Sequence, residues 1–225
     1  MKLLKSLLSA AAAVCLAAVP LSSQAGPISL TIDDLAGHTL TITAPSMTTG
    51  NDQAVYINPN FYGWDLKIYG TGANYNPNVP YGIDLFSFNA TSSGALDLKV
   101  TLSEDGLNFG VAGPKGVRGS IGGTLDAGAS ISYSMYADTT NALNSSPLAG
   151  LVFTGSAATG GGFADNGSAT VALGNPFSMT MFTTLHHSQG GLTTYDFRGI
   201  VPEPASIALV GLALLGLGAA TRRKA

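Results

Sequence analysis

In Leu96-Asp97-Leu98-Lys99-Val100-Thr101-Leu102 apolar and polar residues alternate without exception. A period of two puts every apolar side chain on one face of an extended chain, so this segment buries a face as a strand and not as a helix. The pattern returns in Ser130-Ile131-Ser132-Tyr133-Ser134-Met135-Tyr136 and in Phe177-Ser178-Met179-Thr180-Met181, and more weakly in His38 to Thr43 and Asp84 to Phe88. Shorter apolar runs stand at Leu151-Val152-Phe153 and Ala169 to Leu173. Turn-forming clusters punctuate them: Asn58-Pro59-Asn60, Asn76-Pro77-Asn78, Ser92-Ser93-Gly94, Glu104-Asp105-Gly106, Asn166-Gly167 and Gln189-Gly190-Gly191. No convincing helix precedes Ala205. The expected fold is therefore all-β, a single β-sandwich or jelly-roll-like domain over residues 26–200, followed by a short C-terminal hydrophobic helix.

Composition agrees with this and narrows the function. Only 10% of the residues are charged, against about 25% in ordinary domains. Polarity comes from Ser, Thr, Asn and Gly, which are poor helix formers and suit an exported β-protein with many turns. Between residues 26 and 200 five basic residues face twelve acidic ones, a net charge of −7. No basic patch exists to displace counterions from phosphates, so no nucleic-acid partner is expected.

Both ends read as targeting segments. Lys2 and Lys5 precede an uncharged Leu/Ala/Val run that closes on Ser23-Gln24-Ala25, the layout of a secretory signal peptide over residues 1–25. Cys15, the only cysteine, lies in that run, so the exported part is expected to hold no disulfide. At the other end Val201-Pro202-Glu203-Pro204 precedes an uncharged stretch, residues 205–220, and then Arg222-Arg223-Lys224. Two prolines stop any strand, and Pro204 is placed as a first helical residue. As a helix the stretch spans about 24 Å at about 1.5 Å per residue. It is short for a bilayer core of about 30 Å, with snorkelling of the basic flank closing part of the gap. That flank is expected to stay on the cytoplasmic side of the inner membrane.

Pro-Glu-Pro, an apolar helix and a basic terminus behind a signal peptide resemble the PEP-CTERM sorting signal over residues 201–225. The same tail is catalogued as an ice-binding protein C-terminal domain, a name that does not make the chain an ice binder. The resemblance implies an exosortase-like membrane enzyme as partner. It also implies a membrane-anchored precursor that then reaches the cell surface or extracellular matrix. The middle is loosely similar to PEP-CTERM proteins of unassigned role, through Ser103-Glu104-Asp105, a turn at Gly122-Gly123-Thr124 and the Tyr-rich strand from Tyr133 to Asp138. That likeness supplies no activity.

Catalytic chemistry finds little footing. Gly119-Ser120-Ile121-Gly122 has the wrong spacing for a nucleophile elbow, and Gly70-Thr71-Gly72 lacks the third glycine of a dinucleotide loop. Adjacent His186 and His187 point to opposite faces of a regular strand. Asp33-Asp34, Glu104-Asp105 and Asp165-Asn166-Gly167 could offer oxygens to calcium, but read more simply as turn formers. No catalytic residue, metal or cofactor is expected. The remaining signal is aromatic: Tyr56, Phe61, Tyr62, Trp64, Tyr69, Tyr75 and Tyr81 crowd into 26 residues. Tyr62, Trp64 and Tyr75 are candidate ligand-binding residues if these rings form a platform for sugar. The competing reading puts Trp64 and Tyr69 in the core of one strand. The functions in view are a non-enzymatic surface or matrix protein and a carbohydrate-binding module, with a glycan-active enzyme behind them.

Overall fold

The computed structural model describes residues 26–44, 53–72, 82–107, 112–143, 150–158 and 160–202. The expected signal peptide (1–25), the tail beyond Pro202 with its 205–220 helix, and the loop carrying Tyr75 lie outside them. Twelve strands are described: β1 (Ile28–Asp33), β2 (Thr39–Ala44), β3 (Gln53–Phe61), β4 (Trp64–Thr71), β5 (Gly82–Ser92), β6 (Leu96–Leu107), β7 (Gly113–Leu125), β8 (Ala129–Asp138), β9 (Leu151–Ala158), β10 (Gly161–Leu173), β11 (Phe177–His187) and β12 (Gly191–Ile200). They form two antiparallel six-stranded sheets: sheet 1 in the order β2-β1-β6-β11-β8-β9 and sheet 2 in the order β10-β7-β12-β5-β4-β3. From β5 onward only β8 and β9 are both consecutive and paired, and every other connection crosses between sheets. This is a jelly-roll-like sandwich, as the alternation predicts. Among the described residues no helix is long and apolar enough to cross a membrane.

The buried faces supply one continuous core. Ile28, Leu30 and Ile32 of β1, Leu98, Val100 and Leu102 of β6, and Met179, Met181 and Leu185 of β11 alternate inward from sheet 1. Trp64, Leu66 and Ile68 of β4, Phe88 of β5 and Phe197 of β12 meet them from sheet 2. Tyr133 and Phe153 of sheet 1 pack edge-on or tilted against each other and against Phe197 at 5.6–6.3 Å between ring centroids, where aromatic pairs gain beyond their area.

Four hydrogen bonds between side chains, three of them buried, join the sheets at three places. The Thr183 and Tyr195 hydroxyls lie 2.5 Å apart, and the Tyr133 hydroxyl donates to Asp165 Oδ2 at 2.7 Å. His187 bridges Ser92 Oγ through Nδ1 (2.7 Å) and Thr193 Oγ1 through Nε2 (2.8 Å). Burial lowers the pKa of His187, and neighbouring His186 adds to the fall. Two hydroxyls suit the neutral ring, whose one N–H donates while the other nitrogen accepts. His186 lies on the opposite, exposed face beside Asp97, at 2.6 Å. The two histidines therefore diverge, as strand geometry requires.

Three expected turns are strand. Glu104-Asp105-Gly106 lies inside β6, where Glu104 is paired on both sides, with Ile28 of β1 and Met179 of β11. Two-sided pairing overrides the turn preference of the individual residues. Gly122-Gly123-Thr124 lies in β7, and Asn166-Gly167 lies in the middle of β10, paired with β7 along thirteen residues. Asn58-Pro59-Asn60 falls at a register shift within β3. The aspartates read as turn formers behave so at the end of β1, where Asp34 Oδ1 accepts from the amides of Ala36 and His38.

Candidate functional site

The structure separates the three candidate ligand residues. Tyr62, in the tight turn between β3 and β4 at φ +46°, is 54% exposed. His38 stacks on it at 3.5 Å between ring centroids, covering one face. Trp64, two residues later, is fully buried, with its Nε1 donating to the Asp97 carbonyl at 3.3 Å and its ring 4.9 Å from that of His187. It belongs to the core, because β4 alternates and Trp64 shares the inward face with Leu66 and Ile68. Trp64 therefore has no surface to offer a ligand; it is not a platform residue but a core one, as the competing reading of the sequence expects. Tyr75 is not among the described residues. Of the sorting motif, Val201 is buried against the sandwich and Pro202 is exposed, while Glu203, Pro204 and the basic flank lie outside.

Among the described residues an open surface depression lies on the outer face of sheet 2, and glycines make it. Gly167, Gly119 and Gly199 stand side by side on β10, β7 and β12. Their missing side chains all face inward. A Cβ at Gly119 would sit 2.6 Å from Phe153 Cδ1 and 2.9 Å from Met135 Sδ, one at Gly167 2.9 Å from Phe153 Cγ, and one at Gly199 2.7 Å from Met135 Sδ. Phe153 and Met135 of sheet 1 occupy the room those side chains would take, so the two sheets approach closely here.

The residues flanking each glycine face outward: Arg118 and Ser120, Asn166 and Ser168, Arg198 and Ile200. They line an open depression of about 620 Å³. A second depression of about 590 Å³ shares Ser120, Asn166 and Arg198 and continues to Gly122, Ala164, Asp84, Asp196 and Phe86. The two make one trough across β10, β7, β12 and β5. Small Gly122 and Ala164, directly paired, leave the floor low. Phe86 stands beside it, with Tyr69 of β4 next along the row at 5.9 Å between rings.

The trough's polar groups are differently committed. Asp196 Oδ1 accepts from the Ser87 amide at 2.5 Å, where β5 and β12 shift register and Ser87 takes φ +59°. Asp84 and Arg198 are directly paired in register across β5 and β12, yet no ion pair joins them. Burial pushes the Asp84 carboxyl up to about 6; the Arg198 guanidinium pulls it down and the Asp196 carboxylate adds to the rise.

That burial has a measurable cost. Because the folded-state pKa is raised, ionised Asp84 destabilises the fold above pH 6, and the penalty shrinks as the pH falls toward the ordinary carboxylate range. Asp84→Asn is expected to gain about 1 kcal/mol at pH 8 after screening is allowed for, a rise of about 2–4 °C in melting temperature. The gain should fade below pH 6 and vanish near pH 4. Thermal melts at several pH values check this, and a pH-independent difference refutes it.

None of Asp84, Asp196, Arg118 or Arg198 is singled out by a sequence motif, and Asn166 is read there only as part of a turn or calcium-ligand candidate. The available signal is the run of tripeptides Arg118-Gly119-Ser120, Asn166-Gly167-Ser168 and Arg198-Gly199-Ile200. Only strand register shows that they are neighbours. Among the described residues no group of three or more His, Cys, Asp or Glu side chains is placed to hold a metal ion.

Fold and trough together define an all-antiparallel β-sandwich protein with an open, mixed-charge depression on one face. Its terminal residues 201–224 match the PEP-CTERM protein-sorting motif, so this sandwich is an exported protein carrying a C-terminal sorting signal. No curated protein matches the chain. Among solved structures it is similar to TmCBM61, determined in complex with β-1,4-galactotriose, at 11% identity and a TM-score of 0.36, covering 69% of this chain and 97% of the other. The CBM22-1 xylan-binding domain from Paenibacillus barcinonensis Xyn10C is similar at 13% identity and a TM-score of 0.33, covering 68% and 87%. The K1 cleaved adhesin domain of Lys-gingipain from Porphyromonas gingivalis W83 is similar at 11% identity and a TM-score of 0.32, covering 68% and 90%.

Proposed function

We propose that this chain is a non-enzymatic protein of the cell surface or extracellular matrix that binds polysaccharide through the trough on sheet 2. In this reading an exosortase-like membrane enzyme processes its tail at the outer face of the inner membrane. The observation that carries the binding reading is the trough itself, a channel open across four strands with a floor of glycine and alanine. Its walls carry Ser120, Asn166, Ser168, Asp84 and Asp196 for sugar hydroxyls and the Phe86 ring for a sugar face. A glycan chain needs a channel open along its length. Asp196, held by the Ser87 amide, is fixed as an acceptor for a sugar hydroxyl.

A blocking substitution tests this. Ser120 is exposed and projects from the trough wall, so Ser120→Trp should fill the channel without entering the core. Retention on immobilised polysaccharide should fall at least about tenfold, about 1.4 kcal/mol, with the melting temperature unchanged. Tyr62→Ala, on the β3–β4 turn, should leave retention intact. The opposite result, loss with Tyr62→Ala and none with Ser120→Trp, would move the site to the aromatic turn.

A further inference from the structure

Resting on that reading, we infer that the polysaccharide held in the trough is anionic, its carboxylate or sulfate ester taken by Arg118 and Arg198. Residues 26–200 contain two arginines, and both line this one depression. They come from adjacent strands: Arg198 is paired with Ser120, and Arg118 with Ile200. The arginines are therefore diagonal neighbours on one face, about 7–8 Å apart at the backbone, a spacing long side chains bridge. Two guanidiniums so placed can converge on a single anionic group and meet both its oxygens.

Among the described residues neither arginine makes an ion pair, although Asp84 stands directly opposite Arg198 in the register. Around them lie uncharged donors and acceptors, Ser120, Asn166 and Ser168. The carboxylates of Asp84, Asp165 and Asp196 line the adjoining depression, which Arg198 shares. Arg118 thus stands at the end away from the carboxylates and Arg198 at the junction of the two depressions, so the anionic group sits between the arginines and the next sugar meets the acidic, aromatic end.

Overall charge does not explain the arrangement. A domain of net charge −7 repels polyanions at long range. At physiological ionic strength, though, charges more than about 8 Å away are largely screened, and the two arginines set the local field. An acidic domain that places both its arginines in one open channel is built for a localised anion.

The test measures affinity of the full-length chain, in mild non-ionic detergent, for four polymers: polygalacturonate, dextran sulfate, galactan and xylan. At 50 mM salt at least one of the two anionic polymers should bind at least tenfold more tightly than both neutral ones. The ratio between the two anionic arms identifies carboxylate or sulfate ester as the group held. Arg118→Gln with Arg198→Gln should erase that preference while leaving binding to the neutral polymers unchanged. Equal affinity for all four polymers, or a preference that survives the double substitution, overturns the inference while the trough remains a glycan site. Binding to none of the four overturns the inference together with the proposed function.

Discussion

Replacing Trp64 with alanine is expected to destabilise the sandwich by about 3–5 kcal/mol, the range for removing a large aromatic from a core that cannot collapse. The side chain is fully buried at the start of β4, between the sheets and against His187. Its removal also leaves the Asp97 carbonyl without the indole donor. The melting temperature should fall by roughly 10 °C in a domain of this size. Polysaccharide retention by the fraction still folded should be unchanged, since Trp64 faces away from the trough. Urea titration combined with retention at low temperature separates the two quantities. Lost retention with an unchanged melt would return Trp64 to the surface and sink the packing assigned here.

Gly119→Val is expected to cost about 3 kcal/mol, the upper end of overpacking in a filled core. Its Cβ would meet the Phe153 ring and Met135 Sδ inside contact distance, and both are held between the sheets. Gly119 is paired on both sides, with Gly167 and Gly199, so the backbone has no easy retreat. If the ring is the obstacle, Phe153→Leu should relieve part of the strain. The double variant Gly119→Val, Phe153→Leu is expected to be more stable than the sum of the single effects by about 1 kcal/mol. Simple additivity would mean that the glycine row is not what lets the sheets close, and the trough would then need another explanation.

The strands that period-two patterning marks in the sequence are strands in the structure: the runs at Leu96, Ser130 and Phe177 begin or lie within β6, β8 and β11. The divergence of His186 and His187 is equally local, because it follows from alternation alone. Where sequence reading goes astray, pairing on both flanks is the reason. Glu104-Asp105-Gly106 and Asn166-Gly167 carry the composition of turns, yet ladders of hydrogen bonds from neighbouring strands hold them extended. Gly167 is there because Phe153 needs the space. The density of aromatic residues from Tyr56 to Tyr81 points to that stretch, but density does not say which rings face solvent. Trp64 is inside and Tyr62 outside, two residues apart, because the β3–β4 turn begins between Phe61 and Trp64.

The sequence by itself determines that this protein is an exported β-sandwich with a PEP-CTERM tail. Alternation, turn chemistry and the terminal motif are properties of contiguous residues, and local sterics and burial read them directly. The tertiary structure alone decides that residues 118, 166 and 198 share one trough. Their adjacency depends on the registers of β10, β7 and β12, which long-range pairing and the packing of Phe153 and Met135 set. A strand's own residues state which face is wet. They do not state which other strand lies beside it, because that choice is made by the summed fit of both sheets.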